Sequence, residues 1–189
     1  MDLESFCGLL RANSPDDLAK RFLLATSVAA FATSLDYQGF QERVRERIHS
    51  VDWVAIVGSG NWHFSLNPDK LFRPFGIYSD IDVAIVSSDR YNALWDEMRV
   101  LHRTRFYRLS FEEKKRLRRN GENVYSGFIS PMWIPDRSPA AVLDHKRFLN
   151  ALSDASVAYR AVNVMFFKNL VEAIDYYRRG FIIAKRRLD

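Results

Sequence analysis

Apolar and polar positions recur along the chain with two different periods, and the switches between them predict its elements. In residues 14–36, Leu18, Phe22, Ala25 and Ala29 follow helical spacing. Ser14 suits the cap, Pro15 the first turn, and Asp16 and Asp17 the positive end of the helix dipole. Residues 37–49 place Phe40, Val44 and Ile48 on one face of a second helix, and residues 90–102 align Leu94, Met98 and Leu101 on a third. Residues 169–188 carry the stripe Leu170, Ile174, Tyr177, Phe181 and Leu188, which Gly180 weakens without ending. Short β-branched runs predict strands over 51–58, 80–88 and 159–167. Residues 124–135 read as strand-like, broken by Pro131 and closed by Pro135. The run VAIV occurs at 54–57 and again at 83–86, as two strands of one sheet rather than a repeated module. The expected fold is α/β (α+β), a short mixed β-sheet flanked by helices. One domain would span 1–189, with a helical segment 1–50, a core 51–167 and a C-terminal helix 169–188.

Two features of the central stretch 54–86 carry chemistry. Gly58 and Ser59 follow the first VAIV strand, where glycine lets backbone approach a phosphate and serine can donate to it. Asp80 and Asp82 open the next strand, and alternation turns both to one face. Paired carboxylates repel unless a cation lies between them, and magnesium, or manganese in its place, takes such oxygen ligands together with phosphates. Lys70 and Arg73, in the stretch between, suit either phosphates or a solvated rim.

A strand ending in Gly-Ser, followed by apolar-Asp-apolar-Asp-apolar, resembles the signature of the DNA polymerase β-like nucleotidyltransferase superfamily. The resemblance covers residues 51–87. It implies a nucleotidyltransferase-like fold and metal-dependent transfer of a nucleotidyl group from a nucleoside triphosphate, ATP among the candidates, to an acceptor hydroxyl. It implies that Gly58 and Ser59 bind the triphosphate and that Asp80 and Asp82 hold magnesium as catalytic ligands. The family also places a third carboxylate on a later strand. Neither later strand has a central acid here, and Asn163, between Val162 and Val164, occupies the matching setting. Glu122 and Asp136 flank the first of those strands and are substitutes if the chain folds back. The stretch between Ser59 and Asp80 is longer than in minimal members, and Asn67-Pro68 marks an inserted loop. Small members of the superfamily also act with a partner, as in toxin–antitoxin pairs, so a regulatory module without catalysis is an alternative.

Other readings compete. The aspartates can be a strand-end residue and a lone surface carboxylate. "GSGNWH" has two glycines of a dinucleotide fingerprint but lacks the third, and the acids begin their strand rather than ending it. No Gly-Lys-Ser or Gly-Lys-Thr is present, which excludes a P-loop. His63 reads first as a loop residue, and Trp62 and Phe64 as core.

Charge widens the choice of partner. The 189 residues carry a net charge of +5, and the pI of about 9.4 favours an anionic partner. Residues 99–119 are the most basic part. There Arg103, Arg105 and Arg108, interleaved with Phe106 and Tyr107, suit RNA or DNA, while Ser110 and Glu113 predict a capping box opening a solvated helix. A nucleic-acid-binding protein with a structural carboxylate pair is thus a further alternative. The single cysteine, Cys7, cannot form an internal disulfide, which fits a reducing, cytoplasmic setting. The apolar run 22–35 is too short to span a bilayer, the start of the chain lacks a basic leader, and no membrane partner is expected. The histidines show no zinc spacing.

Overall fold

Four strands form one mixed sheet: β1 (Trp53–Val57), β2 (Ile81–Val86), β3 (Phe128–Ile129) and β4 (Val162–Phe167). Their order is β1-β2-β4-β3. β1 runs antiparallel to β2, β2 parallel to β4, and β3 antiparallel to β4. A parallel pair needs a long crossover, and here it is built from α5 (Ser88–Arg105), α6 (Phe111–Tyr125) and α7 (Pro139–Leu152). Helices α1 (Leu3–Ala12), α2 (Pro15–Leu23) and α3 (Ser34–Arg47) precede the sheet, the short α4 (Ser59–Trp62) follows β1, and α8 (Leu170–Lys185) closes the fold. The computed structural model describes residues 1–135 and 137–188. It is a mixed α/β, α+β fold, as the alternating periods predict.

Strand alternation divides the core into two layers. Val54, Ile56, Ile81, Val83, Ile85, Val162, Val164 and Phe166 bury one face under α3, α5, α6 and α7. Ala55, Val57, Ala84, Val86 and Phe167 bury the other under α1, α2 and α8. The alanines on this second face leave room for aromatics. Phe22 of α2 stacks on Phe181 of α8 at 5.7 Å, and Trp62 lies against both. Three of the five residues in the predicted α8 stripe lie at its margin, while Tyr177 and Phe181 are buried in this layer with Ala173 and Ala184. Gly180 does not interrupt the helix.

Several predicted elements differ in extent. The helix expected over 14–36 opens as read, with the Ser14 side chain accepting from the Asp17 N–H, but stops at Leu23. Beyond it the N–H groups of Ala29 and Ala30 donate to Asn61 and Gly60 carbonyls, at 3.2 and 2.7 Å. Ala25 closes the last turn on the Phe22 carbonyl at 3.2 Å, and tertiary hydrogen bonds replace helical ones at Ala29 and Ala30. The expected capping box on α6 is present, with Ser110 and Glu113 reciprocally bonded. Asn120-Gly121, read as a turn, lies inside α6. There the Asn120 side chain is buried and exchanges two 3.2 Å hydrogen bonds with the Ser130 backbone. The strand expected over 124–135 shrinks to β3, because Val124 and Tyr125 belong to α6. Helices α1 and α7 have no individual counterpart in the sequence reading. Among the described residues no helix is long and apolar enough to cross a membrane.

Candidate functional site

The antiparallel β1–β2 pair brings the end of β1 beside the start of β2, with Val57 opposite Asp82. The parallel β2–β4 pair sets Asn163 opposite Asp82 on the other side. The Gly-Ser turn, the aspartates and Asn163 therefore meet at one end of the sheet.

Gly58 leaves β1 with φ 66° and ψ −157°, a region that favours glycine. A Cβ there would lie 3.1 Å from Asp82 Oδ2, so the missing side chain allows the turn to close on the carboxylate. Ser59 then opens α4. Asn61, buried, ties the turn to the core: its Nδ2 donates to the carbonyls of Phe22 at 2.8 Å and Ile56 at 2.7 Å.

Asp80 lies one residue before β2 and is exposed, whereas Asp82 is on the strand and partly buried. Asn163 Nδ2 donates to Asp82 Oδ1 at 3.2 Å and reaches Asp80 Oδ2 at 3.5 Å. Burial pushes the Asp82 carboxyl above its usual range, and the charge of Asp80 adds to that push. The Asn163 hydrogen bond and the charge of Lys70 act the other way.

A cleft of about 590 Å³ opens beside these groups, lined by Gly58, Ser59, Lys70, Arg73, Asp82 and Arg179. Gly58, Ser59, Lys70 and Arg73 thus share one cleft with Asp82, whereas Asp80 and Asn163 do not line it. Arg179 was not foreseen. Its signal is periodic: Tyr176, Arg179, Gly180 and Ile183 recur at helical spacing beside the apolar stripe of α8 and line the same cleft.

The oxygen donors fit a magnesium or manganese ion in part. Two carboxylates, completed by water and phosphate, suit magnesium, which takes few protein ligands, while Asn163 turns its amide nitrogen toward both aspartates. Among the described residues no cluster of three acidic, histidine or cysteine side chains is present. Glu122 pairs with Arg119 on α6 at 3.1 Å instead. Asp136 lies outside the described residues.

His63 caps α4 in a left-handed conformation, and its carbonyl accepts from the Phe75 N–H at 2.7 Å, a loop role. Burial lowers its imidazole pKa. Trp62 and Phe64 are buried in the core. Arg103, Arg105 and Arg108 lie apart from the cleft, at the exposed end of α5 and the 3-10 turn Phe106–Arg108. Tyr107 between them is 94% exposed. The chain matches no protein-family model, no curated protein and no solved structure in comparisons with each.

Proposed function

We propose that the protein binds a nucleoside triphosphate with a divalent cation and transfers its nucleotidyl group to an acceptor hydroxyl. The observation that carries this reading is the convergence on Asp82 of Gly58 from β1 and Asn163 from β4. Asp80 and Asp82 would hold magnesium or manganese, with Asn163 orienting the Asp82 carboxylate or turning its amide oxygen to the metal. A bound ion of this kind supplies positive charge to the triphosphate oxygens and to the departing pyrophosphate. The Ser59 hydroxyl donates to a phosphate oxygen, and Gly58 lets the backbone come close. Lys70, Arg73 and Arg179 line the same cleft and offset phosphate charge.

In the transfer, the acceptor oxygen bonds to the α-phosphorus, the bond to pyrophosphate breaks, and the hydroxyl proton must leave. Asn163 has no basic group to accept it. This favours a second reading, in which the fold binds nucleotide as a regulatory or antitoxin-like module, with a protein partner, and turns over little. The basic end of α5 supports a third. Arg103 and Arg108, beside the exposed Tyr107, offer phosphate and stacking contacts to RNA or DNA.

Pyrophosphate release separates these readings. Purified protein is screened with the four triphosphates in magnesium and in manganese. Release that disappears in Asp80→Asn/Asp82→Asn supports transfer. Triphosphate-dependent thermal stabilisation without release supports the regulatory module. Neither effect, together with salt-sensitive binding of oligonucleotides, supports the third.

A further inference from the structure

A second cavity, of about 680 Å³, lies at the opposite end of the sheet, where β1 begins and β2 ends. A six-residue strand separates the two ends by roughly 20 Å. Its walls are mainly apolar: Ile48, Phe148 and Phe166 line it beside Arg90 and His145.

The charges around this cavity are unbalanced. Arg137, with a side chain only 6% exposed, is satisfied by Glu97, which accepts from its Nε and Nη2 at 2.7 and 3.0 Å. Arg90 has no such partner. Its guanidinium lies 5.8 Å from the centre of the Phe166 ring and makes no hydrogen bond or ion pair among the described residues. Its own partial burial and, after that, the repulsion of Arg137 lower its pKa, while the charge of Glu97 acts the other way. The half-buried His145 imidazole also has no hydrogen bond among the described residues. Burial and the two guanidiniums hold its pKa down at about 4, so at neutral pH it is uncharged, with one donor and one acceptor nitrogen. Of the acids on the rim, Asp144 is within 3.8 Å of Arg147, and Asp89 lies in the first turn of α5.

Donors on the exposed Arg90 and the half-buried His145, without a protein partner among the described residues and beside an apolar wall, suit a ligand with two parts. One is an oxyanion to accept from Arg90 and His145. The other is a flat apolar body to lie against the partly exposed Ile48 and Phe148. A phosphate monoester suits the first part better than a carboxylate, since its three terminal oxygens and near-double charge match the number of free donors. We propose that this cavity is a second ligand site, separate from the Gly58–Asp82 cleft, and that it takes a phosphate monoester carried on a planar ring.

The test uses adenosine monophosphate as probe, in EDTA, with binding read by calorimetry. Adenosine, inorganic phosphate and benzoate are the comparison probes. The proposal expects adenosine monophosphate to bind tightest. Arg90→Gln should weaken it about tenfold or more, by loss of a charge-assisted contact. His145→Gln should weaken it less, and Asp80→Asn/Asp82→Asn should leave it unchanged. Circular dichroism and melting of each variant establish that it is folded, and Arg90→Lys, which keeps the charge, serves if Arg90→Gln is not. The proposal is overturned if adenosine monophosphate does not bind, if any comparison probe binds as tightly, if the folded Arg90 variant binds as the parent does, or if the aspartate variant loses binding.

Discussion

Asn163 faces Asp82 across the parallel β2–β4 ladder and donates to its carboxylate at 3.2 Å, although the two residues lie 81 positions apart in the chain. An amide therefore stands beside the aspartates where a carboxylate would complete a three-acid cluster. The consequence for the variant Asn163→Asp has a definite sign. Without metal, a third negative charge destabilises the fold by about 1–3 kcal/mol, since it replaces a donor with a repelling group. Saturating magnesium should restore most of that loss, and melting in EDTA and in magnesium measures both. A variant that melts like the parent in both buffers would place residue 163 outside the metal's reach.

Asp82 itself is held in a poor environment for charge, because burial and Asp80 raise its pKa. A carboxyl with a folded pKa above its unfolded value favours folding most at low pH. That advantage fades as pH rises through the unfolded and then the folded pKa. At neutral pH Asp82→Asn should thus raise the melting temperature while abolishing any stabilisation by magnesium and triphosphate. The same shift makes protons compete for the site, so divalent binding should weaken on acidification at a higher pH than for an ordinary carboxylate.

Gly58→Ala tests the close approach. This combination of positive φ and extended ψ is almost confined to glycine and costs another residue about 1–3 kcal/mol, and the added Cβ meets Asp82 Oδ2 at 3.1 Å. The variant should lose about that much stability by urea denaturation, and the proposed triphosphate binding should weaken with it. Gly8→Ala, where a Cβ meets nothing within 4 Å, is the control and should be neutral or better.

Tyr177 is buried on α8, and its hydroxyl has no hydrogen-bond partner among the described residues. Desolvating an unpaired hydroxyl costs about 1–3 kcal/mol. Tyr177→Phe should therefore match or exceed the parent in stability, against the usual direction for a core substitution. Chemical denaturation decides it, and a clear loss would mean that the hydroxyl has a partner in solution.

His145 gives the fold an acid sensitivity. Its folded pKa of about 4 lies below the usual value of 6.5, so the unfolded chain takes up a proton first. Its contribution to stability is full above about pH 6.5 and declines as pH falls toward 4. Arg90 and Arg137 face it, with Glu97 already held by Arg137. His145→Gln should flatten the stability profile over that range. A bound phosphate monoester, by drawing a proton to the imidazole, should flatten it in the parent.

The sheet and much of the site were legible in the sequence for a common reason: both depend on local alternation. Asp80 and Asp82 at spacing two, Gly58 after a β-branched run, and Asn163 between two valines are patterns a strand imposes on its own residues. The Asn120-Gly121 pair misled because its turn propensity is overridden by burial, where Asn120 serves the Ser130 backbone. The length of α2 misled because Ala29 and Ala30 satisfy their N–H groups on α4 rather than on their own helix. Such long-range hydrogen bonds leave no local trace. Arg179 and the Arg90–His145 cluster escaped for a related reason. Each side chain is unremarkable in its own helix and acquires meaning only from neighbours on another.

The separation of Asp82 from Asn163 also has a meaning in time. Contacts between distant segments form late, after the intervening chain has been ordered. During synthesis the aspartates emerge with β1 and β2, while their neighbour strand follows only after the whole α5–α7 crossover. Until β4 docks, one edge of β2 offers unpaired backbone groups and an apolar run, the kind of surface that recruits another unfinished chain. Lowering translation speed over the crossover, or stopping synthesis before Val162, should therefore raise aggregation sharply, and the nascent chain should acquire the Asp82–Asn163 contact in one late step rather than by degrees.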